Sequence, residues 1–137
     1  FSEVKDIISL LLELEVEVFI VAASIKWAVE PGAHLVGLSP EQVIGIETRV
    51  DNGIITEHQH GPITYRRGKV DGLLARTNGQ TPFFAAGNTE GDLPLLESAN
   101  ELRLVVAGSP HGDRNFETEQ RMLTIAEQRR WFSFKFL

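Results

Sequence analysis

Two short apolar segments each lead into polar residues that could bind an anion or a metal ion. Ser24 closes the apolar run 16–23, and the polar loop 87–92 follows the apolar run 82–86. Hydroxyl and amide groups donate hydrogen bonds to anions, and a carboxylate oxygen is a ligand for a hard cation. In sheets of parallel strands, function lies in the loops at the carboxyl ends of the strands. Residues 109–115 form a third such loop.

Each candidate also has an ordinary structural explanation when it is taken alone. Ser24 would cap a helix, as a serine at the end of a strand commonly does. Lys69, which follows Gly68 at the start of a predicted helix, would be a solvated lysine. Asp92 would be the N-cap of a helix beginning at Leu93, and it could serve as a metal ligand at the same time.

Apolar periodicity predicts alternating helices and strands along the whole chain. The predicted helices cover 2–15, a short turn after 24, a segment beginning near Pro31, 69–76, 93–99 and 116–130, and the predicted strands cover 16–23, 82–86 and 102–107. Asn52-Gly53 lies between two extended runs, which predicts a β-hairpin over 43–57. We expect an α/β fold: a partial Rossmann-like, mostly parallel sheet flanked by helices, with this hairpin as an insertion, in one domain over residues 1–137.

Composition excludes several classes of function. A chain of 137 residues is one domain, and its net charge of −6 makes nucleic acid an unlikely partner. It has no cysteine, which excludes disulfides and thiolate metal sites. The longest uncharged apolar run, 18–25, is far shorter than the ~20 residues of a membrane helix, so no membrane partner is expected. The compartment stays open, with the cytoplasm slightly favoured.

Three segments in order resemble motifs of the haloacid dehalogenase superfamily, and most closely its phosphoserine-phosphatase-like hydrolases. They are Val-Ala-Ala-Ser at 21–24, Gly-Lys at 68–69 and Gly-Asn-Thr-Glu-Gly-Asp-Leu-Pro-Leu-Leu at 87–96. The resemblance covers roughly 16–107 and implies a haloacid dehalogenase type of fold. It departs from the family pattern at Asn88, which stands where the family has an aspartate.

The resemblance implies a role for each matching residue in hydrolysis of a small phosphorylated molecule. Ser24 would donate a hydrogen bond to a phosphoryl oxygen, and Lys69 would screen the charge of the phosphoryl group and the nucleophile. Asp92 would bind Mg²⁺ directly or through water, and Asn88 would offer a carbonyl oxygen. Thr89 and Arg66 are weaker candidates for contact with substrate.

The family's nucleophile, an aspartate in an Asp-x-Asp motif, has no counterpart in this sequence. The five aspartates are at positions 6, 51, 71, 92 and 113, and no two of them are two residues apart. The sequence also begins with Phe1 and not Met. We therefore interpret the chain as a fragment, the carboxy-terminal portion of a phosphatase, which lacks the nucleophile and cap and is inactive alone.

In the family the absent nucleophile strand is central, so its loss would leave the strands 16–23 and 82–86 with unpaired edges. These edges would be filled by rearrangement, by the missing amino-terminal segment, or by self-association. The tail 131–137 alternates Phe132, Phe134 and Phe136 with polar residues and is one candidate to fill them. The alternative is that the tail is an ordinary edge strand.

Two functions from different classes fit these observations. The first is the carboxy-terminal part of a Mg²⁺-dependent phosphomonoester hydrolase. The second is a non-catalytic α/β module that binds a phosphorylated ligand or a partner protein, and Asn88 favours it slightly.

Overall fold

A computed structural model describes residues 2–136, and within that range it contains five α-helices, two short 3₁₀ helices (Pro40–Gln42 and Glu90–Asp92) and six strands. The helices are α1 (Ser2–Glu13), α2 (Lys26–His34), α3 (Arg67–Arg76), α4 (Leu93–Ser98) and α5 (Phe116–Arg129). The strands are β1 (Ile20–Ile25), β2 (Val43–Asp51), β3 (Ile54–His60), β4 (Phe84–Gly87), β5 (Leu102–Ala107) and β6 (Phe132–Lys135). Phe1, from which the interpretation as a fragment partly arises, lies outside the described residues, as does Leu137.

The strands form two three-stranded sheets where the sequence predicts one. The first has the order β1-β2-β3 and the second β4-β5-β6. Every neighbouring pair is parallel except the β2–β3 hairpin, which is antiparallel. The mostly parallel α/β class is confirmed, and so is the hairpin, whose turn has Asn52 at φ 51° and Gly53 at φ 79°. Positive φ at both central residues is what a two-residue hairpin turn of type I′ requires.

Two apolar clusters hold the helices against the sheets. One cluster lies between α1, α2 and the first sheet, and its buried members are Ala33, Leu38 and Val43. The larger cluster joins both sheets through α3, α4 and α5, and its buried members are Ile44, Leu73, Ala85, Leu95, Leu96, Ala99, Val105, Met122 and Ala126. The connection between the two sheets therefore runs through helices and not through a shared strand.

The segment after β1 differs from the prediction. One helix, α2, runs from Lys26 to His34 with Pro31 inside it, where the sequence predicts a short turn and then a new helix near Pro31. Pro31 is the sixth residue of a nine-residue helix, so its missing N–H removes only one hydrogen bond of the helix, the one to Trp27. Packing of α2 against β1 and β2 offsets this loss, and the helix continues through Pro31.

The tail lies at the outer edge of the second sheet. Phe132–Lys135 pairs in parallel with Leu104–Ala107 of β5, on the side away from β4. The interpretation as an edge strand is confirmed, and the tail does not fill the space between β1 and β4.

None of the helices within residues 2–136 is long and apolar enough to cross a membrane.

Candidate functional site

A buried ion pair joins the start of β1 in the first sheet to the loop that follows β4 in the second. The Lys69 Nζ lies 2.5 Å from Asp92 Oδ1 and donates a second hydrogen bond, of 3.0 Å, to the Val21 carbonyl of β1. Lys69 is 7% exposed and Asp92 is 8% exposed. The interpretation of Lys69 as a solvated lysine is therefore wrong, because α3 turns its side chain into the space between the sheets.

Asp92 holds the loop that follows β4. Its Oδ2 accepts hydrogen bonds from the Asn88 N–H at 3.1 Å, the Thr89 N–H at 3.0 Å and the Thr89 hydroxyl at 3.0 Å. Asp92 occupies the N-cap position of α4, but its side chain makes no capping hydrogen bond to that helix. The carboxylate instead folds back on the preceding loop, so the interpretation of Asp92 as a helix cap is wrong.

Two glycines allow the close approaches that this site requires. A Cβ on Gly87 would lie 2.5 Å from Asp92 Cβ, and a Cβ on Gly68 would lie 1.8 Å from the Ile63 carbonyl oxygen. Neither distance is compatible with a side chain. The glycines at 87 and 68 therefore let the carboxylate of Asp92 and the start of α3 pack directly against backbone.

The electrostatics keep Asp92 ionised. Burial raises the pKa of this carboxyl group, but the hydrogen bond and positive charge of Lys69 and the amides of Thr89 and Asn88 outweigh burial. The net result is a pKa below the usual value. The site therefore holds two opposite charges that pair with each other and are largely shielded from water.

Glu119 is a second buried carboxylate, and sequence reasoning missed it. From the first turn of α5 it accepts hydrogen bonds from the backbone N–H groups of Gly108 and Ser109, from the Ser109 hydroxyl and from the Asn88 side-chain amide. Burial raises the pKa of Glu119, and these four donors lower it further than burial raises it. Glu119 therefore ties the loop after β4 to the loop after β5.

A signal for Glu119 was present in the sequence. It lies three residues before Met122 and seven before Ala126, which are both fully buried. A glutamate on the apolar stripe of a helix is unusual because a buried charge needs partners. Thr64 was also missed: it is 1% exposed and its hydroxyl donates to the Ala22 carbonyl at 2.6 Å. No spacing in the sequence indicates that contact.

Arg66 lies on the rim of the site and is exposed. Its Nε donates to the Tyr65 hydroxyl at 3.3 Å, and its guanidinium lies over the Tyr65 ring. The hydrogen bond with Tyr65, the charge of that group and the charge of Glu90 raise the pKa of Arg66. A Cβ on Gly91 would lie 3.4 Å from the Tyr65 ring, so this rim borders the loop after β4.

Ser24 stays apart from these contacts. It is exposed within β1, which continues to Ile25 where the sequence predicts that the strand ends before Ser24. It does not cap α2, whose N-cap is Ile25. No residue in the described range hydrogen-bonds to the Ser24 hydroxyl, so its role toward a phosphoryl group stays a prediction, as does that of Thr89.

The residues present do not by themselves fit a magnesium ion. Across residues 2–136, no three histidine, aspartate or glutamate side chains are grouped to hold a metal. Asp92 Oδ2 accepts three hydrogen bonds, whereas Oδ1 accepts one, from Lys69, and keeps one acceptor position. The assignment of Asp92 and Asn88 to a metal stays a prediction.

The fold and the site define a Rossmann-type α/β protein with polar residues at the carboxyl ends of its strands. The haloacid dehalogenase-like hydrolase family matches residues 2–97 of the sequence. The chain belongs to this family, and the resemblance derived from its motifs is confirmed. Hydrolases of this family generally use Mg²⁺.

Two solved structures share the fold at low sequence identity. A protein of unknown function from Bordetella pertussis Tohama I has a TM-score of 0.79 and 18% identity, over 98% of this chain and 57% of that chain. A phosphoserine phosphohydrolase-like protein from Francisella tularensis subsp. tularensis SCHU S4 has a TM-score of 0.63 and 14% identity, over 96% and 56%. The chain thus spans a little more than half the length of either. The search of curated proteins gives no match.

Proposed function

We propose that these 137 residues supply one part of a phosphomonoester hydrolase site, of the phosphoserine-phosphatase-like type, whose nucleophile comes from polypeptide outside them. The observation that carries the proposal is the buried Lys69–Asp92 pair between β1 and the loop that follows β4. Membership of the hydrolase family supports it.

The chemistry of Lys69 suits a dianionic phosphoryl group. An ammonium group has three N–H donors, and two of them are used on Asp92 and Val21. The third is available for a phosphoryl oxygen. Asp92 holds the ammonium group in place, so this donor is positioned before the substrate arrives.

The other polar residues would add contacts to the substrate around the Lys69 ammonium group. Ser24 and Thr89 would add hydroxyl donors, and Arg66 would meet the remainder of the substrate from the rim. The Asn88 amide donates to Glu119, which leaves its carbonyl oxygen as the atom that faces other ligands. Use of Mg²⁺ would require further oxygen ligands from polypeptide outside these 137 residues, because no three acidic or histidine side chains are grouped within residues 2–136.

A non-catalytic module that binds a phosphorylated ligand or a partner protein is the second candidate. The neutral Asn88 in the place of an aspartate favours it.

Two measurements on the purified chain test the phosphoryl site and the absence of a nucleophile. Hydrolysis of p-nitrophenyl phosphate with Mg²⁺ is compared with Asp92→Ala, and we expect no turnover from either protein. Binding of inorganic phosphate is followed by NMR, and we expect Lys69→Met to abolish it and Lys135→Met, at an exposed position, to leave it intact. Turnover that Asp92→Ala removes would show that the chain holds its own nucleophile. Absence of phosphate binding by the parent chain would refute the phosphoryl site.

A further inference from the structure

The side-chain amide of Asn88 faces a buried carboxylate. Its Nδ2 donates to Glu119 Oε1 at 2.9 Å, across 31 positions of the sequence. Glu119 is 3% exposed and lies in the first turn of α5, whereas Asn88 follows β4. The proposed phosphoryl site makes no use of Glu119, although a carboxylate is costly to bury.

The charge of Glu119 is compensated by hydrogen-bond donors and not by a cation. Its Oε2 accepts from the N–H groups of Gly108 and Ser109 at 3.0 and 2.9 Å. Its Oε1 accepts from the Ser109 hydroxyl at 2.9 Å and from Asn88. These bonds fill the acceptor positions of a carboxylate. Within residues 2–136 no lysine, arginine or histidine forms an ion pair with Glu119, so the group at position 88 is required as a donor.

A carboxylate at position 88 would not meet that requirement. An ionised aspartate only accepts hydrogen bonds, and it would place two like charges within hydrogen-bonding distance of one another. One of the two groups would have to take up a proton or move away, and the loop after β4 would lose its contact with Glu119. Asparagine is neutral and donates, so it satisfies Glu119 at the place where the family has an aspartate.

The contact also decides which atom of Asn88 is left for a bound group. Its N–H donates to Asp92 and its Nδ2 donates to Glu119, whereas Oδ1 accepts no hydrogen bond from the described part of the chain. Asp92 keeps one acceptor position on its own Oδ1. The loop after β4 therefore offers a bound group one neutral carbonyl oxygen and one carboxylate oxygen. Glu119 has no acceptor position left to add to them.

We infer that Glu119 is a positioning residue, which holds residue 88 as an amide and thereby weakens the affinity of this loop for a divalent cation. Affinity for a hard cation depends on the number of charged oxygen ligands. A negative charge at position 119 in place of position 88 removes one such ligand from the loop. This inference goes beyond the proposed function, because it holds whether or not the site takes a phosphoryl group.

A simple loss of the aspartate, without any part played by Glu119, predicts different behaviour. In that case Asn88→Asp would be tolerated and would by itself strengthen cation binding. If Glu119 sets the residue at position 88, the same substitution is destabilising until Glu119 is changed as well. The double variant Asn88→Asp/Glu119→Gln reverses the pair, since the new NH₂ group at 119 donates to the new carboxylate at 88.

The test is a double-mutant cycle of the parent, the two single variants and the double variant, followed by thermal unfolding. We expect Asn88→Asp to lower the midpoint of the parent by about 5 °C, and not to lower it in the Glu119→Gln background. Asn100→Asp is the matched control, because Asn100 is exposed and its Nδ2 donates to a neutral hydroxyl, that of Thr81. It should change the midpoint little. If Asn88→Asp does not fold, folding of the double variant gives the same answer.

Divalent cations give a second readout. Added MgCl₂, compared with NaCl at equal ionic strength, should raise the unfolding midpoint of the double variant and leave that of the parent unchanged. Mn²⁺ should broaden the amide NMR signals of residues 88–92 at about tenfold lower concentration in the double variant than in the parent.

Three results would overturn the inference. A loss of stability in Asn88→Asp that is equal in both backgrounds, or no larger than in Asn100→Asp, would mean that Glu119 does not set the residue at 88. Stabilisation of the parent by Mg²⁺ as large as that of the double variant would mean that the loop binds a cation without a carboxylate at 88. No effect of either cation on the double variant would mean that residue 88 does not face a cation position. None of these readouts measures phosphate binding or turnover, so the proposed function stands or fails separately.

Discussion

The ammonium of Lys69 and the carboxylate of Asp92, 23 positions apart in the chain, meet at 2.5 Å between two sheets that share no strand. Lys69 also contacts the Val21 carbonyl of the first sheet, and Asp92 holds the loop that follows β4 of the second. One ion pair therefore connects the two halves of the fold at the point where the candidate site lies.

Replacing Lys69 by methionine should destabilise the chain by about 3–5 kcal/mol, since removal of one partner leaves a buried carboxylate without its cation. Urea unfolding of the variant measures the loss. Lys135→Met is the matched control, because Lys135 is exposed on β6. A loss no larger than that of the control would mean that solvent compensates Asp92 and that the pair is not dry.

Stability should fall on acidification through Asp92. Its pKa in the folded protein is lowered, so the ionised group favours folding; this contribution is complete above its unfolded pKa of about 4 and is lost as the pH falls through the folded value. Unfolding free energies of the parent and of Asp92→Asn, measured from neutral pH down into that range, should converge at the acid end. If the unfolding free energies of the two proteins change in parallel with pH, the acid-sensitive loss of stability does not arise from Asp92. Glu119, whose pKa is also lowered, gives the parent a second acid-sensitive contribution that the variant keeps.

Gly87→Ala should destabilise the fold by about 1–3 kcal/mol, because the new methyl group would overlap Asp92 at 2.5 Å. Gly32→Ala is the comparison, since a Cβ there meets no atom within 4 Å and the residue lies in α2. That substitution should stabilise by roughly 0.5–1 kcal/mol. Thermal unfolding of both variants tests the contrast, and similar behaviour of the two would show that the loop after β4 can move away from Gly87.

Glu119→Gln should lower the free energy of unfolding by about 2 kcal/mol. The glutamine side chain is uncharged, so its oxygen accepts weaker hydrogen bonds. Its NH₂ group would face donors that now bond to a carboxylate oxygen. Glu127→Gln, on an exposed position of the same helix, is the control and should change stability little. NMR of the Asn88 side-chain amide reports whether its hydrogen bond is lost. An unchanged amide signal in Glu119→Gln would contradict the contact.

Local patterns predicted most of the elements but not how they associate. Asn52-Gly53 predicted the hairpin, because a turn of two residues depends on the residues within it. The position of Ser24 inside β1 was not predictable, since the strand gains its last residues from pairing with Ile46 of β2. In the same way, α2 continues through Pro31 because its packing on the first sheet outweighs one missing hydrogen bond.

The sequence by itself determined the family, the order of helices and strands, and the motif residues Lys69, Asn88 and Asp92, because each of these depends on residue type and short spacing. The tertiary structure alone decided that Lys69 is buried, that Asp92 folds back on its own loop, and that Glu119 holds Asn88. It also decided that the strands form two sheets with a groove between them. These facts depend on contacts between residues far apart in the chain, and such contacts arise only when the folded backbone brings their partners within hydrogen-bonding distance.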